Sequence, residues 1–293
     1  MAEGRVRIGV SGWRYSSWRG DYYPEGLTQR RELEHLSGRL DAVEVNGSFY
    51  SLQRASSYLA WRAQTPAPFR FALKGSRFIT HNLKLANAEQ ALANFFASGP
   101  LALGPKLGPI VWQLPERQRF DGPRLRDFCA LLPRTFSDAR ALALAHDARV
   151  RDPWTEIDVD RRIGHALEAR NESFFCDEAV RVLRAHGDAL VVSDAPGWRL
   201  VEELTADFVY IRFHGAAELY RSRYSDAELD EWSARIHAWR HGGEPPDARR
   251  ITARAAPRRR ARAVWAFFDN DARGHAPWDA ERLRARVARG SSR

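Results

Sequence analysis

The sequence predicts an α/β fold of the (β/α)8 TIM-barrel class, built as a single domain, on three observations. Its 293 residues exceed an average domain but suit one barrel of about 250 residues. Eight short apolar or alternating runs recur along the whole chain, each closing on a polar or glycine-rich signal. No break in composition divides the chain, and the glycine-rich turn of a nucleotide-binding doubly wound sheet is missing.

The predicted strands are Val6–Gly12, Ala42–Ser48, Phe69–Ser76, Pro109–Leu114, His165–Arg170, Ala189–Asp194, Phe208–His214 and Ala263–Asp269. Helical patterns fill most of the gaps: Arg30–Leu40, Ala55–Gln64, Ala88–Phe96, Pro123–Leu132 and Asp226–Trp239, often entered through aspartate, serine or proline. The piece 195–206 is too short for a full helix. Two polar stretches read as loop insertions, 137–163 and 241–262. The second combines Gly242-Gly243 and Pro245-Pro246 with an arginine run, a composition compatible with disorder.

Composition narrows the class. Hydrophobic residues make up 44% and charged residues 28%, an ordinary globular balance that excludes collagen, coiled coil and wholesale disorder. No apolar run approaches the ~18–20 residues of a membrane span, and no signal-peptide core is visible, so a soluble, cytoplasmic protein with no membrane partner is expected. Cys129 and Cys176 match neither a disulfide framework nor a zinc knuckle. The net charge of +9 is mainly local: Arg249, Arg250, Arg254, Arg258, Arg259, Arg260 and Arg262, against Glu244 and Asp247, supply +5 of it.

Strand alternation then assigns faces. In Ala42-Val43-Glu44-Val45-Asn46 the valines suit the helix-packed side, which turns Glu44 and Asn46 inward. The same reading places Ala72 and Lys74, Glu168 and Arg170, and Tyr210, Arg212 and His214 inside, with Gln113 and Asp194 following. These polar residues cluster near the C-terminal ends of their strands, where barrel active sites are assembled. An internal ion-pair network of Glu44 and Glu168 with Lys74, Arg170 and Arg212 is the structural alternative to a functional pocket.

At these residues the sequence resembles the domain-of-unknown-function 72 (YecE-like) family. The resemblance is carried by Ile8-Gly9-Val10-Ser11-Gly12-Trp13, Trp18-Arg19-Gly20, Tyr23-Pro24-Glu25-Gly26-Leu27 and Val43-Glu44-Val45-Asn46 with Ser48-Phe49-Tyr50. It continues through Phe71-Ala72-Leu73-Lys74, Arg77-Phe78-Ile79-Thr80-His81, Lys106-Leu107-Gly108-Pro109, Gln113-Leu114-Pro115 and Glu168-Ala169-Arg170. The last matches are Tyr210-Ile211-Arg212-Phe213-His214-Gly215, Tyr220-Arg221-Ser222-Arg223-Tyr224-Ser225, Phe267-Phe268-Asp269-Asn270-Asp271 and Gly274-His275-Ala276-Pro277. It covers about residues 7–285 apart from the two insertions and implies a TIM barrel; it names no reaction. The chain departs from the family pattern at Asn171-Glu172-Ser173-Phe174, where relatives commonly carry a His-Pro-Ser-Trp-like step, and in the arginine run. Both departures are expected to border the mouth and to alter specificity.

The chemistry expected of this site is acid–base, with Glu44 and Glu168 as proton-transfer groups and Lys74 as a third catalytic residue. Lys74 suits anion binding or ion pairing better than a Schiff base, because two glutamates are expected nearby. Arg170 and Arg212 would hold an anion; Asn46, His81, Gln113, Asp194, His214, Asn270, Asp271, His275 and Trp13 complete the expected substrate-binding set. Trp13, Trp18, Trp112 and Trp198 are stacking candidates, each weighed against simple packing. No cofactor is predicted. A divalent metal would draw on Glu44, Glu168, Asp194, His81, His214, Asp271 and His275, but no HExxH or closely spaced ligand motif is present. The expectation is an enzyme acting on a small polar, anionic or phosphorylated ligand. The alternative is a nucleic-acid-binding or phosphodiester-processing protein, similar at fold level to endonuclease IV, with the arginine run extending its basic footprint. A noncatalytic binding scaffold is the third reading.

Overall fold

In a computed structural model describing residues 3–290, every strand pairs in parallel with its neighbours. The strands are β1 (Val6–Ser11), β2 (Ala42–Val45), β3 (Arg70–Lys74), β4 (Leu107–Gln113), β5 (His165–Glu168), β6 (Ala189–Leu190), β7 (Val192–Asp194), β8 (Phe208–Phe213) and β9 (Ala263–Phe268). Their order is β6-β5-β4-β3-β2-β1-β9-β8-β7. The two ends of that order, β6 and β7, are consecutive in the chain and flank Val191, whose N–H donates to the Leu167 carbonyl at 2.9 Å. Ala189 and Leu190 pair with β5 while Val192–Asp194 pair with β8, so one interrupted strand closes the ring. Counted that way, all eight predicted strands are present.

Around the ring lie α1 (Glu32–Arg39), α2 (Gly47–Tyr50), α3 (Ala55–Gln64), α4 (Glu89–Ala97), α5 (Gly122–Leu131), α6 (Phe136–Ala143), α7 (Asp177–His186), α8 (Asp226–Arg240) and α9 (His275–Gly290). Three of them, α5, α6 and α8, are entered through a side-chain cap. The Asp121 carboxylate caps α5, and Ser225 with Glu228 forms a capping box at α8. No helix among the described residues is long and apolar enough to cross a membrane.

The strands separate two apolar layers, as alternation requires. Val43, Val45, Phe71, Leu73, Ile110, Trp112, Ile211 and Phe213 pack outward under the helices. Ala42, Ala72, Val111, Ala166 and Val191 face the lumen, where Tyr210, Trp265 and Phe267 from β8 and β9 fill the space that these small residues leave. This plug divides the lumen into a polar layer at each strand end.

The two predicted insertions need correction. Residues 137–163 are not wholly loop: Phe136–Ala143 is helix α6, entered through a Thr135/Asp138 capping box. Residues 241–262 lack regular structure but are anchored, the backbone N–H groups of Arg249, Ile251 and Thr252 donating to Glu202 and Glu203. Arg262 is buried and donates to the carbonyls of Gly242, Gly243 and Pro257. Both segments lead directly into the starts of strands, β5 and β9, and therefore sit at the N-terminal end of the barrel. The arginine run does not border the mouth, because a connection from helix to strand lies at the opposite end from the strand-to-helix loops.

Candidate functional site

Above the apolar plug, the last inward positions of the strands converge on Arg212. Its Nη1 donates to both Glu168 carboxylate oxygens, at 3.1 and 2.9 Å. Its Nη2 reaches Glu44 Oε1 and Asp269 Oδ2, each at 2.9 Å, and Ser11 Oγ at 3.2 Å. Glu44 also accepts from Ser11 Oγ at 2.5 Å and from the Tyr210 hydroxyl at 2.6 Å. His214 bridges the far side, with Nε2 3.2 Å from Glu168 Oε1 and Nδ1 3.2 Å from Asp269 Oδ2. Five strands or their immediate extensions thus supply one network.

Glu44, Glu168, Arg212 and His214 expose no side-chain surface. Burial opposes the charge on Glu168, yet Arg212 and then Arg170 hold its carboxyl well below the ordinary range. Asp269 is lowered in the same balance, Arg212 and His214 outweighing burial. Burial likewise opposes the Arg212 charge, and the three carboxylates raise that guanidinium well above its usual value. Glu44 and Glu168 were expected to transfer protons. Both are sealed from solvent and ion-paired to Arg212.

The groups that reach the opening form a second tier. Lys74 is 9% exposed, and its Nζ lies 4.6 Å from the centre of the Phe49 ring with no hydrogen bond or ion pair among the described residues. Burial, then repulsion from Arg212, lowers its pKa, while Glu44, Glu168 and Asp269 act the other way. His81 packs edge-on against Phe49 and contacts the Thr80 hydroxyl at 2.9 Å through Nδ1. Arg170 lies 3.5 Å from Glu168, 3.4 Å from the Tyr220 hydroxyl and 4.8 Å above Trp198. Asn46 accepts from Ser11 at 3.2 Å. Burial followed by repulsion from Asp269 pushes the Asp271 carboxyl up to about 6, with the nearby Tyr15 acting the other way; the Tyr15 hydroxyl donates to the Ser11 carbonyl at 2.6 Å. Gln113 is buried with its Oε1 unpartnered, as are Ser193 Oγ and Arg170 Nε. Ser193 and Arg170 both line a cavity of about 280 Å3 with Trp198 and Phe175.

Four expected site residues lie elsewhere. Asp194 faces outward, accepting from Trp232 Nε1 at 3.1 Å, because Val191 and Ser193 take the lumen side of the interrupted strand. Asn270 also faces out, donating to the Ser222 carbonyl and to Asp279. Trp13 is core, set edge-on 5.3 Å from Trp61. His275 begins α9 and makes no hydrogen bond or ion pair with the cluster. Among the described residues no group of three or more His, Cys, Asp or Glu is arranged to hold a metal ion. Sequence reasoning missed Asp269, Ser11, Tyr15 and Tyr220. Asp269 was within reach, since Trp265, Phe267 and Asp269 share the inward face, but the wholly apolar run before it concealed the alternation.

Fold and site together define a parallel (β/α)-barrel protein with an arginine-centred ion-pair cluster beneath its C-terminal mouth. The chain belongs to the family described as protein of unknown function DUF72, whose model matches residues 7–293. It is 27% identical over 254 residues to the UPF0759 protein YecE of Escherichia coli (strain K12), covering 82% of this chain and 84% of YecE. It is 21% identical over 265 residues to the UPF0759 protein YunF of Bacillus subtilis, covering 79% and 83%. Among solved structures, a DUF72 family protein (TM1631) from Thermotoga maritima superposes with a TM-score of 0.71 at 22% identity, covering 97% of this chain and 99% of that one. A DUF72 family protein (EF0366) from Enterococcus faecalis superposes with a TM-score of 0.65 at 16% identity, covering 97% and 95%. These likenesses establish family and fold.

Proposed function

We propose that the barrel mouth binds a small polar anion, phosphorylated or carboxylated, between Lys74 and Arg170, and that Asp271 exchanges a proton with it. The observation that carries this reading is the Lys74 ammonium: buried, facing the mouth, and without a hydrogen bond or ion pair among the described residues. A buried charge left without a partner is costly, and a bound oxyanion supplies that partner. Arg170 adds a planar donor whose Nε is also unpartnered. Asp271 is the carboxyl suited to proton exchange near neutrality, because it stands outside the Arg212 ion pairs and its pKa lies at about 6. Glu44 and Glu168 then act as positioning residues for Arg212. A nucleic acid held at the mouth would gain nothing from the arginine run, which stands at the other end of the barrel.

Thermal-shift and calorimetric titration with sugar phosphates, phosphocarboxylates and dicarboxylates tests the proposal. Wild type is expected to bind one class, Lys74→Ala and Arg170→Gln to lose at least tenfold in affinity, and Asp271→Asn to bind without turnover. Equal binding by wild type and Lys74→Ala would refute the anion assignment. Turnover undiminished in Asp271→Asn would refute the proton-exchange assignment.

A further inference from the structure

We propose a second anion site at the opposite, N-terminal end of the barrel, where Arg7, Arg70, Arg161 and Arg162 bind closely spaced phosphate groups. The strand alternation that sends Ser11 and Lys74 to the mouth sends Arg7 and Arg70 to the bottom of the same lumen face. There they line a cavity of about 270 Å3 with Arg161, Arg162, Arg134 and Trp265. Asp207 is the one carboxylate among its described lining residues. Arg134 is already matched by Asp188. The other four arginines form no ion pair with a carboxylate among the described residues. Arg70 donates to the carbonyls of Ala67 and Phe69, and Arg161 to those of Gly104 and Leu107. Arg7 lies 4.6 Å from the centre of the Trp265 ring, and the Nε atoms of Arg7 and Arg161 are buried without partners.

Guanidinium groups do not shed their charge near neutrality, so this crowding persists until an anion enters. Burial, then repulsion from Arg70 and Arg5, pushes Arg7 down to about 10, with Asp41 acting the other way. Arg70 and Arg161 are lowered by burial and by a neighbouring arginine. Forked donors match phosphate oxygens two at a time, and several unmatched cations around one small cavity suit linked phosphates better than a single carboxylate. The volume is below the ~300–1,000 Å3 of a drug-sized ligand site, which suits a di- or triphosphate chain. The exposed Arg254, Arg258, Arg259 and Arg260 belong to the segment entering β9 at this same end, so the arginine run supplies the approach field rather than the site.

Isothermal titration of the full chain with orthophosphate, pyrophosphate and tripolyphosphate tests the assignment, with sulfate as control. Affinity should rise at least tenfold from orthophosphate to tripolyphosphate. It should fall at least tenfold in Arg70→Gln/Arg162→Gln and stay within twofold in Lys74→Ala. Arg162→Glu, a fully surface change, should weaken binding as well and serves if the double variant misfolds. A single-stranded oligonucleotide that binds more tightly and is lost in the same variants would identify the phosphates as those of a nucleic-acid backbone. Binding of tripolyphosphate alone would identify a free oligophosphate. Sulfate and tripolyphosphate binding alike, or loss on Lys74→Ala with none on Arg162→Glu, would overturn the proposal.

Discussion

The charge balance around Arg212 predicts a pH-dependent stability defect when that one cation is removed. Three carboxylates, Glu44, Glu168 and Asp269, face three cations, Arg212, Lys74 and Arg170. Replacing Arg212 by methionine preserves length and leaves one carboxylate unmatched. His214 touches both Glu168 and Asp269, so the comparison is made on a His214→Asn background. The surplus carboxyl must then be protonated in the native state. Raising a carboxyl from about 4.3 past pH 7 costs about 4 kcal/mol at pH 7 and about 1 kcal/mol at pH 5. The sign follows from proton counting: between those limits the native variant holds a proton that the unfolded chain releases, so stability falls as pH rises. The wild-type network runs the other way, because the lowered Glu168 and Asp269 lose their stabilising charge only in acid. Urea unfolding at pH 5, 6 and 7 measures the difference between the double and single variants, and 4 kcal/mol corresponds to about 6–7 °C in Tm at this chain length. A loss below 1 kcal/mol at pH 7, or one equal at pH 5 and pH 7, would refute the balance.

Two further perturbations probe the mouth and the barrel wall. Asp271, raised to about 6 from an ordinary 3.8, costs the native state stability as pH rises from about 4 to 6. Asp271→Asn should therefore be more stable than wild type by about 1–2 kcal/mol at pH 7.5, after allowance for its partial exposure, with the gain vanishing near pH 4; a variant no more stable at pH 7.5 contradicts the raised pKa. At Gly75, a β-carbon would lie 2.1 Å from the Trp112 ring, which is buried beside Phe95 and Phe128 and donates to His165. Gly75→Ala should cost about 1–3 kcal/mol by overpacking, and unfolding indistinguishable from wild type would show that Trp112 has room to move.

The barrel was legible because each strand announces itself twice, by its length and by a clean change from apolar run to turn signal. The site was legible only where the two faces of a strand differ in chemistry. Ala42-Val43-Glu44-Val45 separates valine from glutamate, and the structure places Glu44 on the Arg212 side as alternation demands. Strand β9 reads Ala263-Val264-Trp265-Ala266-Phe267-Phe268, apolar on both faces. There the phase is invisible, and the pattern does not distinguish inward Asp269 from its outward neighbour Asn270. Asp194 failed for a different reason: the Val191 interruption lets one strand serve two neighbours, and residue spacing carries no mark of it.

Placement along the barrel axis is the harder inference, because alternation fixes which face a residue takes and says nothing of the company it keeps. Glu44 and Glu168 have the residue types of an acid–base pair, yet both are bound by Arg212, from a strand more than forty residues away. Their chemistry is set by a contact distant in sequence. The same limit hid the lower arginines: Arg70 and Lys74 are on one face of one strand, four residues apart, and only the plug formed by Tyr210, Trp265 and Phe267 assigns them to different ends. An apolar waist of this kind lets a barrel carry two separate polar layers. Mutations in one layer should therefore leave ligand affinity in the other unchanged unless they disturb the waist itself.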